Sequence, residues 1–237
     1  MRRRYLGRRR AYRRGCWRIG TLVVVLALTV LLLVSCMAGS GVLWVRGLLG
    51  WDVGDYAAEP TERTLANDGE VALMLCDTVR VVLDDRVQLE EFRGTSQALK
   101  LYRDEILNYM LRSDYAAYTG NASAVRAVAK QYPTLSVATL ISEKDFESTV
   151  YRYFGGSGVD HKSGDMFRYL GRAGYYTTPT SARACNVEIK VLLVEETANT
   201  YRMDFKLIRG GTQSETYRAI FVKREDSAPY WKALQIK

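Results

Sequence analysis

The sequence predicts an α+β protein: an N-terminal single transmembrane helix, then helices packed on a C-terminal antiparallel β-meander. Three observations lead there. Residues 19–45 carry no charged side chain and are fenced by Arg18 and Arg46. Between residues 67 and 154, apolar side chains recur at three- and four-residue spacing, the period of a helix with one buried face. From Ala184 the period becomes two, as in half-buried strands, and it runs on almost to Lys237. Helices first and strands last define the class.

The apolar run organises the rest. At about 1.5 Å per residue it exceeds a hydrocarbon core of about 30 Å. Residues 1–18 hold nine arginines and no acid. The chain's formal charge is +8, so the remainder carries 8 − 9 = −1. The basic character therefore belongs to the tail, and beside an apolar span it reads as a cytoplasmic anchor for anionic lipid heads rather than a nucleic-acid site. Trp17 and Trp44 sit where interfacial indoles are favoured. Two other readings stay open. Leu33-Val34-Ser35-Cys36 resembles a lipobox, which would make Cys36 a lipidated amino terminus. A signal peptide cut near Ala38-Gly39 would instead free the domain. All three place the rest outside the cytoplasm. Residues 46–60 read as a juxtamembrane linker, and residues 61–237 as an extracytoplasmic domain large enough for its own core.

Asn67-Asp68-Gly69-Glu70 has the spacing of a capping box before a buried helix over 71–83, of which 79–83 could also be a strand. Leu99, Tyr102, Ile106, Tyr109 and Met110 predict a helix over 95–118, ended by Gly120. Asn121 caps a shorter helix to Lys130. Ser142-Glu143-Lys144-Asp145 is a second capping box, opening a helix with Phe146, Val150, Tyr153 and Phe154 on one side. Gly155-Gly156-Ser157-Gly158 reads as a flexible connection, lacking the pattern of a phosphate loop. Residues 162–170 read as a short helical turn. Val187, Ile189 and Val191, then Met203, Phe205 and Leu207, then Tyr217, Ala219 and Phe221 alternate with polar neighbours. Gly210-Gly211 marks a turn, and a last strand covers 230–236.

Little in this chain has the spacing of catalysis. His161 is the sole histidine, which excludes a multi-histidine metal site. Asp160 beside it could orient a general base, and Glu195-Glu196 is an acid pair, but no nucleophile stands in a recognisable motif. No cofactor is expected. Cys76 and Cys185, both outside, could form one disulfide or remain two buried thiols. Tyr175 and Tyr176, between Gly174 and Thr177-Thr178-Pro179, read as a loop pair offering rigid contact area at the mouth of a helix–sheet groove.

From Ser142 onward, helices followed by a meander ending in Tyr230-Trp231-Lys232 resemble nuclear-transport-factor-like and cystatin-like folds, as found in extracytoplasmic domains of Gram-positive envelope proteins. The resemblance implies a curved sheet wrapping a helix around a concave pocket and transfers no site residue. The expectation is a membrane-anchored, non-enzymatic domain that binds a protein or cell-envelope component. Alternatives are an envelope assembly subunit acting through its span, or a hydrolase.

Overall fold

A computed structural model describes residues 59–225 and 227–237, which fall within one compact unit. The predicted span, the tail, Cys36 and most of the linker lie outside the described residues. Among those described, no helix is long and apolar enough to cross a membrane.

Strand β1 (Arg63–Leu65) leads into helix α1 (Glu70–Val79). Ala72, Leu75, Cys76 and Val79 point inward at helical spacing, while Leu73 stays exposed. Two expectations fail here. Asn67 is no cap: Gly69 holds that position, and the Asn67 amide instead donates to the Leu192 carbonyl at 3.0 Å. Nor does the helix run to residue 83, because its last residues tighten into a 3₁₀ turn, Arg80–Val82. Strand β2 (Phe92–Arg93) precedes α2 (Thr95–Ser113). The predicted 95–118 helix breaks at Asp114, whose carboxylate accepts from the Ala117 N–H and opens α3 (Tyr115–Thr119). An available cap outcompetes one more turn of regular helix at that point. Asn121 caps α4 (Ala122–Gln131) as expected, accepting from the Ala124 N–H at 3.1 Å.

Strand β3 (Ile141–Ser142) runs straight into α5 (Glu143–Phe154), where Ser142 Oγ accepts from the Asp145 N–H. The first two glycines beyond it are packed rather than slack. Gly155 ends α5 at φ 71°, and a Cβ there would meet the Tyr230 ring. A Cβ on Gly156 would meet the Thr95 side chain, so the two elements approach only because none is present. In place of the expected helical turn over 162–170, β4 (Arg168–Leu170) pairs with β5 (Tyr175–Thr177), and β3 flanks β5 on its other side.

The meander is as read: β6 (Glu188–Glu196), β7 (Thr200–Arg209), the short β8 (Thr212–Gln213), β9 (Tyr217–Val222) and β10 (Tyr230–Ile236). The antiparallel path is β1-β6-β7-β9-β10-β2, with β8 attached to β7. Met203, Phe205 and Leu207 face inward opposite Ala219 and Tyr217. Two bulges reset the alternation, one at Leu192 and one at Lys232. Each puts two residues opposite one, so Val194 and Leu234 return to the core face. Helices α1, α2 and α5 pack on that face, around a hub of Phe92, Phe154, Phe221 and Trp231. The outer face is charged. Arg218 forks onto Asp204 at 2.7 and 2.9 Å, Lys237 joins it, and these cations hold the Asp204 carboxyl below its usual range despite its burial.

Candidate binding cleft

An open cleft of about 1020 Å³ lies among the described residues. Leu73, Met74 and Asp77 of α1 form one wall, and Tyr109 and Arg112 of α2 with Arg152 and Tyr153 of α5 form another. Residues 185–188, leading into β6, and Ala228-Pro229, leading into β10, complete it. Leu73 reaches this wall because the inward stripe of α1 occupies the opposite side of the helix.

At the base, Tyr109 and Tyr153 meet edge to face, centroids 5.8 Å apart, with their hydroxyls 3.1 Å apart. Burial, then that hydrogen bond, pushes the Tyr153 phenol up to about 12, so it stays neutral at physiological pH. Arg112 lies 5.8 Å from the Tyr109 centroid and Arg152 lies 5.1 Å from that of Tyr153, which holds two guanidinium groups against the aromatic floor. Arg112 also donates to the Leu83 carbonyl at 3.2 Å. Around this floor stand Arg80 and the carboxylates Glu70, Asp77 and Glu188. Both charge signs, a phenol pair and an exposed leucine suit a ligand that is itself amphipathic.

No protein-family model, no curated protein and no solved structure matches this chain.

The tyrosine pair expected at the mouth of a helix–sheet groove is placed differently. Tyr175 and Tyr176 belong to β5, the middle strand of the small sheet, not to a loop. Tyr176 is fully buried against Phe146 of α5, ring centroids 5.1 Å apart. A buried ring offers no area to a partner. Tyr175 is half-buried and lines a separate hollow of about 400 Å³ with Asp114, Tyr118 and Asp145.

Tyr176 serves another purpose. Its hydroxyl lies 3.0 Å from His161 Nδ1, while Nε2 lies 3.0 Å from the Glu147 carboxylate. The imidazole stacks on Tyr169 at 5.4 Å, and the Tyr169 hydroxyl bonds Glu143. The acid beside His161 in space is thus Glu147 and not Asp160, which pairs with Lys162. With both ring nitrogens engaged, His161 ties the chain after α5 to α5 and β5. Tyr176→Phe is expected to cost about 1–2 kcal/mol by leaving Nδ1 without its partner, whereas Tyr175→Phe should be near neutral. Urea denaturation of the two variants checks this, and equal losses would deny the hydroxyl its anchoring role.

The remaining candidates separate as well. Glu195 and Glu196, adjacent on β6, point to opposite faces. Glu195 meets Arg218 at 3.5 Å, whereas Glu196 bonds Lys223 and Arg63, which together hold its carboxyl below the usual range. An acid pair sharing one substrate is not formed. Cys76 and Cys185 are free thiols. Burial pushes the Cys76 thiol up to about 11, which keeps it protonated, and Cys185 is half-buried on the cleft wall. Among the described residues, no three His, Cys, Asp or Glu side chains gather as a metal-ion cluster.

Proposed function

We propose that the chain is a single-pass membrane protein with residues 1–18 in the cytoplasm. Residues 19–45 cross the bilayer, and residues 61–237 stand outside as a non-enzymatic binding domain for a protein or cell-envelope component. The cleft walled by α1, α2 and α5 is the surface that receives the partner. One observation carries the binding reading: a cleft of about 1020 Å³ joins an exposed apolar side chain, Leu73, to a Tyr109–Tyr153 floor ringed by charges of both signs. Aromatic and arginine groups around an apolar anchor are where binding energy concentrates. The topology rests on the arginines of the tail and the uncharged run behind them.

A reporter fused after Lys237 tests the topology and is expected to be active only in an export-dependent form. A photo-reactive side chain replacing Leu73 in the full-length chain tests the cleft. In the native envelope it should cross-link to a protein or wall fragment, while the same group replacing the exposed Lys144 should not. Cross-linking at neither position, or equally at both, removes the cleft from the reading. Cytoplasmic reporter activity removes the topology.

A further inference from the structure

The edge of β6, whose first residue Glu188 also borders the cleft, carries a second inference. Strand β6 spans nine residues, yet β1 pairs only with Val194, Glu195 and Glu196. Its first six residues, Glu188 to Leu193, have β7 on one side and, among the described residues, no strand on the other. Among the described residues, the Asn67 amide donates to that edge at the Leu192 carbonyl. An open edge of this length presents unpaired N–H and C=O groups, which other edges usually hide with short strands, prolines or covers.

The side chains along it read as self-complementary. Ile189 and Val191 face the core side and are partly buried against it. Glu188 and Lys190 lie on the opposite, exposed face. Consider a second copy pairing antiparallel about a two-fold axis. The faces match only when residue 188, 189 or 190 lies opposite itself, because a one-residue slip turns every side chain over. Centring on residue 188 places Glu opposite Glu, and centring on residue 190 places Lys opposite Lys. Centring on Ile189 places Glu188 opposite Lys190 twice, with Val187 opposite Val191 on the core side. One register is attractive and both of its neighbours are repulsive. The Asn67 contact at Leu192 ends the pairing there and limits it to residues 187–191.

We propose that two copies of this chain associate through this edge, joining their sheets into one across an isologous two-fold interface centred on Ile189. The occupant is a second copy because the charge pattern of residues 188–190 complements itself. Leu73, which shares the cleft with Val187 and Glu188, lies beside the seat of the incoming strand.

The full-length chain in mild detergent, followed by sedimentation across a concentration series, tests this. Wild type should show a concentration-dependent dimer. Glu188→Lys sets Lys against Lys, Lys190→Glu sets Glu against Glu, and each should weaken association at least tenfold. The double variant Glu188→Lys/Lys190→Glu exchanges the signs and should restore it. Both side chains are exposed, so at concentrations where every protein is monomeric thermal unfolding should be unchanged in all three variants. A wild type that is monomeric at every concentration, single reversals that leave the dimer intact, or a double variant that stays monomeric overturns the proposal. A monomer that captures an extended segment of another protein on this edge also overturns it.

Discussion

Trp231→Ala is expected to be the most damaging single truncation in the folded domain. The indole is fully buried where three elements converge. Phe92 of β2 meets it edge-on at 5.0 Å, Phe154 of α5 stacks at 6.2 Å, and Phe221 of β9 stacks at 6.0 Å. Its Nε1–H donates to the Ala233 carbonyl at 2.8 Å, across the bulge at Lys232. Alanine would leave a cavity that rings held by separate elements cannot close together, so the loss should reach about 3–5 kcal/mol. Against a total of about 5–15 kcal/mol for an ordinary domain, that removes a large share of the stability. Trp231→Phe keeps most of the volume and forfeits the N–H, so it should cost clearly less. Urea denaturation of the three proteins decides the point. A loss below about 1 kcal/mol for the alanine variant would mean that the helical layer and the sheet do not depend on this hub.

How far the chain discloses such a hub depends on the range of the contacts. The meander was legible because one face of each strand meets the core. Met203, Phe205 and Leu207, or Tyr217, Ala219 and Phe221, then repeat every second residue. The bulges at Leu192 and Lys232 were not legible, because an inserted residue leaves no mark except a shifted alternation. Ser142 and Asn121 announced their helices because a cap bonds within three residues. Asn67 had the same look, but a distant carbonyl at Leu192 claims its amide. Strands β4 and β5 are three residues each, too short for any period to register, and the glycine and threonine around Tyr175-Tyr176 resemble those of a loop. The cleft depends on Tyr109 meeting Tyr153 across 44 positions. Each tyrosine was visible on its own helix face, but nothing local in the chain pairs them.

Glu105 supplies the second large effect, and it depends on pH. This glutamate on α2 is pushed up from 4.5 to about 7, first by burial and then by the neighbouring carboxylates Asp104 and Asp84, with a hydrogen bond to its own backbone and then Arg183 opposing. Asp84 does not take up the proton in its place. Asp84 is buried, yet the backbone N–H groups of Arg86 and Val87, at 2.7 and 2.8 Å, together with Arg183 hold it below its usual range. Asp104 is occupied with the Met166 and Phe167 N–H groups. The folded protein therefore binds the Glu105 proton more tightly than the unfolded chain does. The stability linked to that proton is fully present below about pH 4.5 and is lost as pH rises through about 7. Glu105→Gln keeps the shape and removes the titration. At pH 8 the variant should be more stable than wild type by about 2 kcal/mol, a figure reduced from the full shift for partial exposure. At pH 4.5 the two should agree within about 0.5 kcal/mol, since both are then neutral at this position. Other carboxylates held low by cations, such as Asp204 and Glu196, weaken the protein in acid but do so equally in both chains. The difference between the two urea midpoints, followed from pH 4.5 to 8, isolates Glu105. A gap that does not change with pH would place the glutamate in water rather than in the fold.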